Sequence, residues 1–563
     1  MSRADVPVLV VGGGPTGLTA SLLLARQGIR SLVVDRRDGP HRAPQAHVVN
    51  PRTLEICRAA GVDMERLRAS ATRREDGAHV VWMTTLAGEE LGRLPYERQG
   101  DENLRVTPTP LLNLSQHLFE PILLDRVREE AAVEVRYRHQ WGALEQDADG
   151  VTSRIDDLER GRSEVVRSRW VLAADGAGSR VRQALDVGMI GPDRLQSFVM
   201  IHFEANLRAL VRERPAILYW LVDPEVLCTL VAHDVERTWV LMHPYEPDTE
   251  SADAYTKDVC AGIVRRAIGR DDVELAVRDV STWAMTAQLA DRYAVGRVFL
   301  VGDSAHRFPP TGGLGMNTGI QDAHNLAWKL ATVDRGVAAA SLLETYERER
   351  RPVAQENAEQ SLNNAMKMWE VFQALGILPG DVAGSKARMT AALADPAARE
   401  ALREAIEHQR EHFDMFGLQL GFGYDTGALV GDGSPRPTAP NPVRDFIPTT
   451  RPGSRVPHAW VERGGERVSI LDLLPYDGFT LLAGSAGGPW ASAAAAVREL
   501  PVRCLTAGRD FTDPDGHWAS VCEIDAGGAV LVRPDQHVAW RTRSMLADPG
   551  STLASVVRTV LGL

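Results

Sequence analysis

The sequence lacks the features that would place it in a membrane, in a secretory route or on nucleic acid. No run approaches the ~18 consecutive apolar residues of a membrane helix, and the opening residues have neither the basic nor the apolar stretch of a signal peptide. Export and membrane spanning are therefore not expected, and a cytoplasmic location is. Cysteine is scarce: Cys57, Cys228, Cys260, Cys504 and Cys522 are five, an odd number, widely spaced and without a CxxC pair. That argues against a disulfide framework or a thiolate metal site and reads as free thiols in a reducing compartment. Positive charge is outweighed, with 63 Lys and Arg against 75 Asp and Glu and a formal net charge of -12. Such a balance opposes affinity for nucleic acid or an anionic membrane surface, so a small-molecule partner is expected. There is no internal repeat or low-complexity tract, and no GxSxG or HExxH to suggest a hydrolase. His41, His306 and His324 have no partners at metal-ligand spacing and read as structural, so no metal is expected.

What is present is globular in character, with 44% hydrophobic and 25% charged residues. A chain of 563 residues exceeds one core and predicts three domains or four. Residues 6–11 read as a strand, 15–27 as a helix stopped at Gly28, and 29–34 as a second strand, which is a βαβ unit. Asn50 and Pro51 start another helix that Gly61 ends. Residues 77–98 and 195–283 alternate as a sheet facing a ligand, while the segments near 175 and 310 return to the first domain. The expected architecture is α/β. A Rossmann-type domain is drawn from 1–76, 99–194 and 284–365, interleaved with a β-sheet substrate domain from 77–98 and 195–283. A helical segment and proline-rich linker follow over 366–454, then a thioredoxin-like unit over 455–563. That last unit reads as strand 479–483, helix 490–499, strand 502–505, two strands joined by a Gly527-Gly528 turn, and a helix from Leu553. Where a redox member would carry CxxC the chain has GSAGGPW at 484–490, so no disulfide chemistry is expected of it.

Gly12, Gly14 and Gly17 form GxGxxG between the first strand and helix, where missing side chains let the backbone approach a pyrophosphate at the positive end of a helix. Asp35, 18 residues beyond Gly17, is placed to accept from adenosine ribose hydroxyls. Its neighbour Arg36 reads either as stacking on adenine or as a solvated arginine. Alone, the fingerprint does not separate NAD from FAD. Two further motifs follow it in order: Asp175-Gly176 after a strand at 170–174, and Gly302-Asp303 after a strand at 297–301.

GxGxxG, DG and GD in this order resemble the para-hydroxybenzoate hydroxylase type of flavoprotein monooxygenase, over roughly the first 365 residues. Within it the chain is most similar to phenol and chlorophenol hydroxylases, through AHVVNPRTLEICR (46–58), RPAILYWLV (214–222), HRFPPTGGLGMNTGIQDAHNLAWKL (306–330) and LGFGYDTGALVGDG (420–433). The resemblance implies non-covalent FAD, with Asp303 on its ribityl chain, Gln116 near the isoalloxazine, and Asp175 supporting the pyrophosphate and the nicotinamide cofactor. Gln45 stands where the family often has a basic residue, which leaves the contacts of that loop open. With a single dinucleotide fingerprint, NADPH or NADH must bind transiently and leave. The implied reaction is hydroxylation of an aromatic ring with O2 through a flavin C(4a)-hydroperoxide.

The turn containing Gly312, Gly313 and Gly315 leads into a helix expected over 318–330. The N–H groups of Gly315, Met316 and Asn317 would then lie at its positive end, where they stabilise negative charge on a reduced flavin. Pro309 and Pro310 donate no N–H, and by the resemblance the Pro310 carbonyl lies near the substrate hydroxyl. His47 stands where some relatives have an acidic residue beside the substrate. It reads as an acceptor or relay for a phenolic proton, the alternative being a surface-loop histidine. Competing functions are a flavin-dependent halogenase, whose WxWxIP motif is absent here, and Baeyer-Villiger or epoxidising oxygenation by the same fold. Monomer and homodimer both stay open.

Overall fold

Fully buried aliphatic runs, Val8 to Val10, Leu32 to Val34 and Val171 to Ala173, build the centre of the first sheet. Such runs, apolar on both faces, are what a parallel sheet covered by helices on both sides requires. The computed structural model describes residues 3–563, so residues 1 and 2 of the expected 1–76 segment lie outside the described residues. Its eight-stranded sheet has the strand path Ala294–Val295, Val298–Leu300, Arg162–Ala173, Arg3–Val11, Ser31–Asp35 and Val133–Tyr137. The last five of these run parallel, and the first pairs antiparallel to its neighbour. A hairpin of His139–Gln146 and Val151–Asp157 extends the long strand. The helix Pro15–Arg26 packs against this sheet, and Gly315–Asp334 packs on that helix.

A seven-stranded sheet follows the order Ala276–Met285, Gln196–Glu204, Thr238–Tyr245, Cys228–Asp234, Leu218–Leu221, His79–Met83 and Glu90–Pro95. It is antiparallel except for Leu218–Leu221 on His79–Met83. Gln196–Glu204 alternates strictly between half-buried and buried side chains, as period-2 geometry demands. Val199, Ile201 and Phe203 form one core with the helix Lys257–Ile268. On the other face, Val80, Trp82, Leu218, Val231 and Val240 pack with Val48, Tyr96, Leu111 and the helices around Val371 and Ile406. That second face meets the first domain.

The C-terminal sheet has the order Val502–Thr506, Phe479–Ala483, Ala529–Val532 and Val538–Thr542, parallel in its first pair and antiparallel in the rest. Two expected boundaries are corrected here. Gly527-Gly528 does not join the last two strands. It closes a turn before them, where Gly527 N–H donates to Asp525 Oδ1 (2.7 Å) and Gly528 N–H to the Asp525 carbonyl (3.0 Å). The hairpin itself turns over residues 533–537, with Gln536 at φ 60°. The closing helix starts at Pro549, ahead of Leu553, because Asp548 caps it through Ser551 N–H (3.0 Å).

That hairpin docks on the first domain through buried charges. Arg533 donates to both carboxylate oxygens of Glu349 (2.8 Å each) and Lys329 to Glu349 (2.7 Å). Arg52 reaches Glu55 (2.9 Å), Gln536 (2.8 Å) and the Asp535 carbonyl (2.7 Å). Arg455 closes on Glu55 from the other side.

Candidate active site

The glycines of the fingerprint separate into two kinds. Gly12 has φ +109°, and a Cβ there would lie 2.1 Å from the Ala174 carbonyl; one on Gly17 would lie 2.0 Å from the Gly12 carbonyl. Both are demanded by the close crossing of strand, turn and helix. Gly14 differs: its φ is -82°, and the nearest atom to an added Cβ is Arg37 Nη2 at 4.0 Å. Gly315 likewise has nothing within 4 Å of such a Cβ. Both leave room for a ligand to lie directly against the backbone at a helix start. The helix Gly315–Asp334 adds that its start has no side-chain cap and no acidic residue in the first turn. Its free N–H groups present a partial positive charge to whatever binds there. It starts at Gly315 and not near 318, which puts Gly315, Met316 and Asn317 in the first turn.

At the end of the second strand, Asp35 Oδ2 accepts from Gly13 N–H (2.7 Å). Burial raises the Asp35 carboxyl, but hydrogen bonds and charge from Arg37 outweigh it and hold it below its usual range. Arg36 is exposed; the guanidinium at the acid is that of Arg37, which the sequence reading missed. Two adjacent arginines give no sequence signal for which one turns inward. Arg37 continues to Glu120 (3.5 Å), which also accepts from Gln116 Nε2 (2.6 Å) and His41 N–H (2.8 Å). Gln116 thus stands at the head of a network ending at Asp35. Glu120 was also missed, although its i,i+4 spacing from Gln116 marks a shared helix face.

The DG and GD turns meet beside these glycines. Asp175 uses both oxygens on its own turn, Oδ1 on Ser179 Oγ (2.5 Å) and Oδ2 on Val181 N–H (3.2 Å). Burial raises its carboxyl. Arg182 ties the two turns through the carbonyls of Ser304 (3.1 Å) and Ala177 (3.2 Å). Asp303 is open to the cleft, yet the protein around it raises its carboxyl by desolvation. Asp322, absent from the sequence reading, holds the GD turn on the long helix. It accepts from Gly302 N–H (3.2 Å), His306 Nε2 (2.6 Å) and Arg350 Nε (2.8 Å).

His47 is half-buried and packed against aromatic rings, not free on a surface loop. Its Nδ1–H donates to Asn113 Oδ1 (3.3 Å), the amide nitrogen of Asn113 being used on Gln99 (3.1 Å). The ring stacks on Tyr96 at 6.1 Å and meets His233 edge-on at 5.8 Å. Burial pushes the imidazole down to about 4, so it is neutral at ordinary pH with Nε2 left as an acceptor. Asn317 fixes this loop by accepting from Asn50 N–H (3.0 Å) and donating to the Val48 carbonyl (2.9 Å). The expectation for Pro310 is corrected. Its carbonyl already accepts from Gly312 N–H (2.8 Å) and Gly313 N–H (3.1 Å), so both lone pairs are spent inside the turn.

Comparison with known proteins gives a consistent result. A family model described as FAD binding domain matches residues 5–361, and one described as aromatic-ring hydroxylase, C-terminal, matches 449–563. The 2,4-dichlorophenol 6-monooxygenase of Cupriavidus pinatubonensis is 36% identical over 99% of this chain and 96% of that protein. Among solved structures, the flavin-dependent monooxygenase PieE in complex with FAD and substrate superposes with a TM-score of 0.93 at 38% identity, covering 99% of both chains. A ternary complex of aklavinone-11 hydroxylase with FAD and aklavinone has a TM-score of 0.83 at 34% identity, covering 100% of both.

Proposed function

The chain belongs to the FAD-binding aromatic-ring hydroxylase family, and from that premise we propose which residues hold the cofactor and where the aromatic ring binds. It is an FAD-dependent aromatic monooxygenase. When bound, FAD supplies the two-electron link between NAD(P)H and dioxygen, one oxygen atom entering the ring and the other leaving as water. The observation that carries the placement is the pair of open glycines, Gly14 and Gly315, at two uncapped helix starts either side of Asp303. Gly12, Gly14 and Gly17 admit the pyrophosphate to the first helix, Asp35 takes the ribose, and Asp303 takes the ribityl hydroxyls. Gly315, Met316 and Asn317 direct N–H groups at the ring system. Gln116 orders the loop at residues 41–46, and Arg36 stays with solvent. Asp175 supports the pyrophosphate by shaping its turn.

The aromatic substrate lies between the His47 loop and the second sheet. His47 accepts a hydrogen bond from the phenolic hydroxyl at Nε2, a role its neutral state and Asn113 prepare. A ring whose hydroxyl gives up its proton during attack is more electron-rich at the carbon that receives oxygen. Phe198 and Trp283, stacked at 5.0 Å, continue the same sheet face with half-buried Met200 and Met242. This apolar shelf supports a fused-ring phenol as substrate over a single ring. The test is NAD(P)H consumption and product mass by the purified flavoprotein with phenol, 2,4-dichlorophenol and hydroxylated anthraquinones. A gain of one oxygen, fastest with the anthraquinones, is the expected result; consumption without any oxygenated product would refute it.

A further inference from the structure

Glu97 follows the strand Glu90–Pro95 and has φ 51°, a left-handed backbone that a side-chain-bearing residue rarely adopts. A hydrogen bond from its N–H to the Phe413 carbonyl (2.6 Å) holds it there. Backbone in this region persists only where the surroundings impose it, and such positions cluster at ligand sites. The neighbours of Glu97 border the chamber proposed above for the aromatic substrate, between the His47 loop and the second sheet. Tyr96 on one side stacks against His47 and packs with Phe413. Met415 on the other reaches the glycine turn, its Cε lying 2.6 Å from where a Cβ on Gly312 would sit.

The two carboxyl oxygens have unequal surroundings. Oε2 accepts from Gln419 Nε2 (3.0 Å) and Met415 N–H (3.4 Å), while Oε1 meets no donor among the described residues. Among the described residues no cation bonds to it, and the charge of Arg98 lowers its carboxyl less than burial and Asp414 raise it. Arg98, the nearest, is committed to Asp414 (2.8 and 3.1 Å) and the Arg444 carbonyl (2.7 Å), and Arg444 itself turns to Asp414 (3.1 Å). Of the groups facing Glu97, Asp414 is a like charge and Tyr96 is neutral, with Asp445 beyond Arg98 at 3.8 Å. A half-buried carboxyl that bonds to no cation and has a carboxylate neighbour keeps its proton at neutral pH. Because Oε2 is occupied by two donors, the proton resides on Oε1.

Resting on the reading of the chamber as an aromatic-substrate site, we propose that Glu97 is a substrate-binding residue whose protonated Oε1 donates a hydrogen bond to an oxygen of the aromatic substrate. The bond selects ligands that carry an acceptor oxygen, a ring carbonyl or a phenol oxygen, at the end of the chamber beside Tyr96. Ionisation would abolish it and set a second negative charge beside Asp414.

The test is equilibrium binding of phenol to the FAD-loaded protein, followed by flavin absorbance from pH 6.5 to 9. Desolvation, with Asp414 second, pushes the Glu97 carboxyl up to about 8. Its neutral fraction therefore falls about tenfold between pH 7 and pH 9, while phenol, ionising near 10, stays mostly neutral. Wild type should lose about tenfold in affinity over that interval. Glu97→Gln keeps a donor that does not titrate, so its affinity should be flat with pH and near wild type at pH 7. Glu97→Leu should bind several-fold more weakly at pH 7, with unchanged FAD content. A Gln variant showing the wild-type pH dependence, or a Leu variant binding as wild type at pH 7, overturns the assignment. So does pH-independent binding by the wild type, which leaves the chamber itself intact. Absence of phenol binding by the wild type overturns this assignment, and absence of binding by the hydroxylated anthraquinones as well overturns the chamber.

Discussion

Replacing Gly14 by alanine should strip the protein of flavin while leaving the polypeptide folded, and the coordinates set the size of both effects. The backbone at Gly14 is already in a region alanine prefers (φ -82°), and the new methyl would meet nothing nearer than 4.0 Å. The cost to folding is then the loss of glycine at an N-cap, about 1 kcal/mol or less. Gly17→Ala is the internal contrast, since its methyl would stand 2.0 Å from the Gly12 carbonyl and 3.3 Å from Ala174 Cβ. Strand and helix would have to separate, at about 1–3 kcal/mol or more. For the cofactor the order reverses. A methyl on Gly14 keeps a phosphate oxygen from reaching the helix N–H groups, and each charge-assisted hydrogen bond lost is worth about 1.5–3 kcal/mol. One such bond weakens FAD binding by roughly 10- to 150-fold. Apoprotein of each variant would be titrated with FAD by fluorescence quenching, with thermal melts in parallel. If Gly14→Ala apoprotein binds FAD as wild type does, or melts as low as Gly17→Ala, the pyrophosphate does not lie where the open glycine places it.

His47→Ala should lower product per NAD(P)H and raise hydrogen peroxide by about tenfold or more, general-base help being commonly worth ~100-fold. With the imidazole at about 4, His47 adds no inflection to the wild-type product ratio between pH 6 and 9, and an unchanged ratio in the variant returns it to a structural role. Arg533→Met leaves two fully buried carboxylates without their arginine, Glu349 with Lys329 alone and Asp535 beside His537, and should destabilise docking of the C-terminal unit by about 3–5 kcal/mol, read by denaturant unfolding and hydrogen exchange at residues 533–537. Burial raises the Glu349 carboxyl, but Arg533 and Lys329 outweigh it and hold it at about 2 against an ordinary 4.5. Its folded value being the lower, its contribution to stability is present above pH 4.5 and is lost as pH falls towards 2, a slope that Glu349→Gln should flatten. The double variant Cys504→Ser, Cys522→Ser should keep its turnover, both thiols being raised by burial and neither lying at the 484–490 junction; a folded variant without activity would refute this.

Much of the glycine-turn and helix-cap geometry was legible because it is local. Gly12, Gly17 and Asp35 follow from strand, turn and helix in immediate succession, and Asn50 caps its helix through Thr53 N–H at 2.9 Å as its position before Pro51 indicates. The start of the Gly315–Asp334 helix was placed about three residues late. Glycines depress helix propensity, and only packing against the first helix, the GD turn and Arg350 carries the helix back to Gly315. The Pro310 carbonyl was misjudged for a related reason. Sequence shows that proline cannot donate, but whether its carbonyl is free depends on how tightly Gly312 and Gly313 fold back beneath it.

The sequence by itself determined the elements whose cause is local: the βαβ opening, the glycine turns, the helix caps, and the ordered motifs that mark a flavin-dependent hydroxylase. Tertiary structure alone decided which of two adjacent arginines meets Asp35, that Asp322 locks the GD turn through His306 and Arg350, and that His47 is half-buried and neutral. It also decided that Glu97 is held in a left-handed turn with no cation bonded to it among the described residues. Arg37 also reaches Glu120, 83 positions away, and Glu97 is bonded to Gln419, 322 positions away. Burial and charge pairing at such separations arise only when the sheets and helices close on one another, and no local sequence pattern encodes that closure.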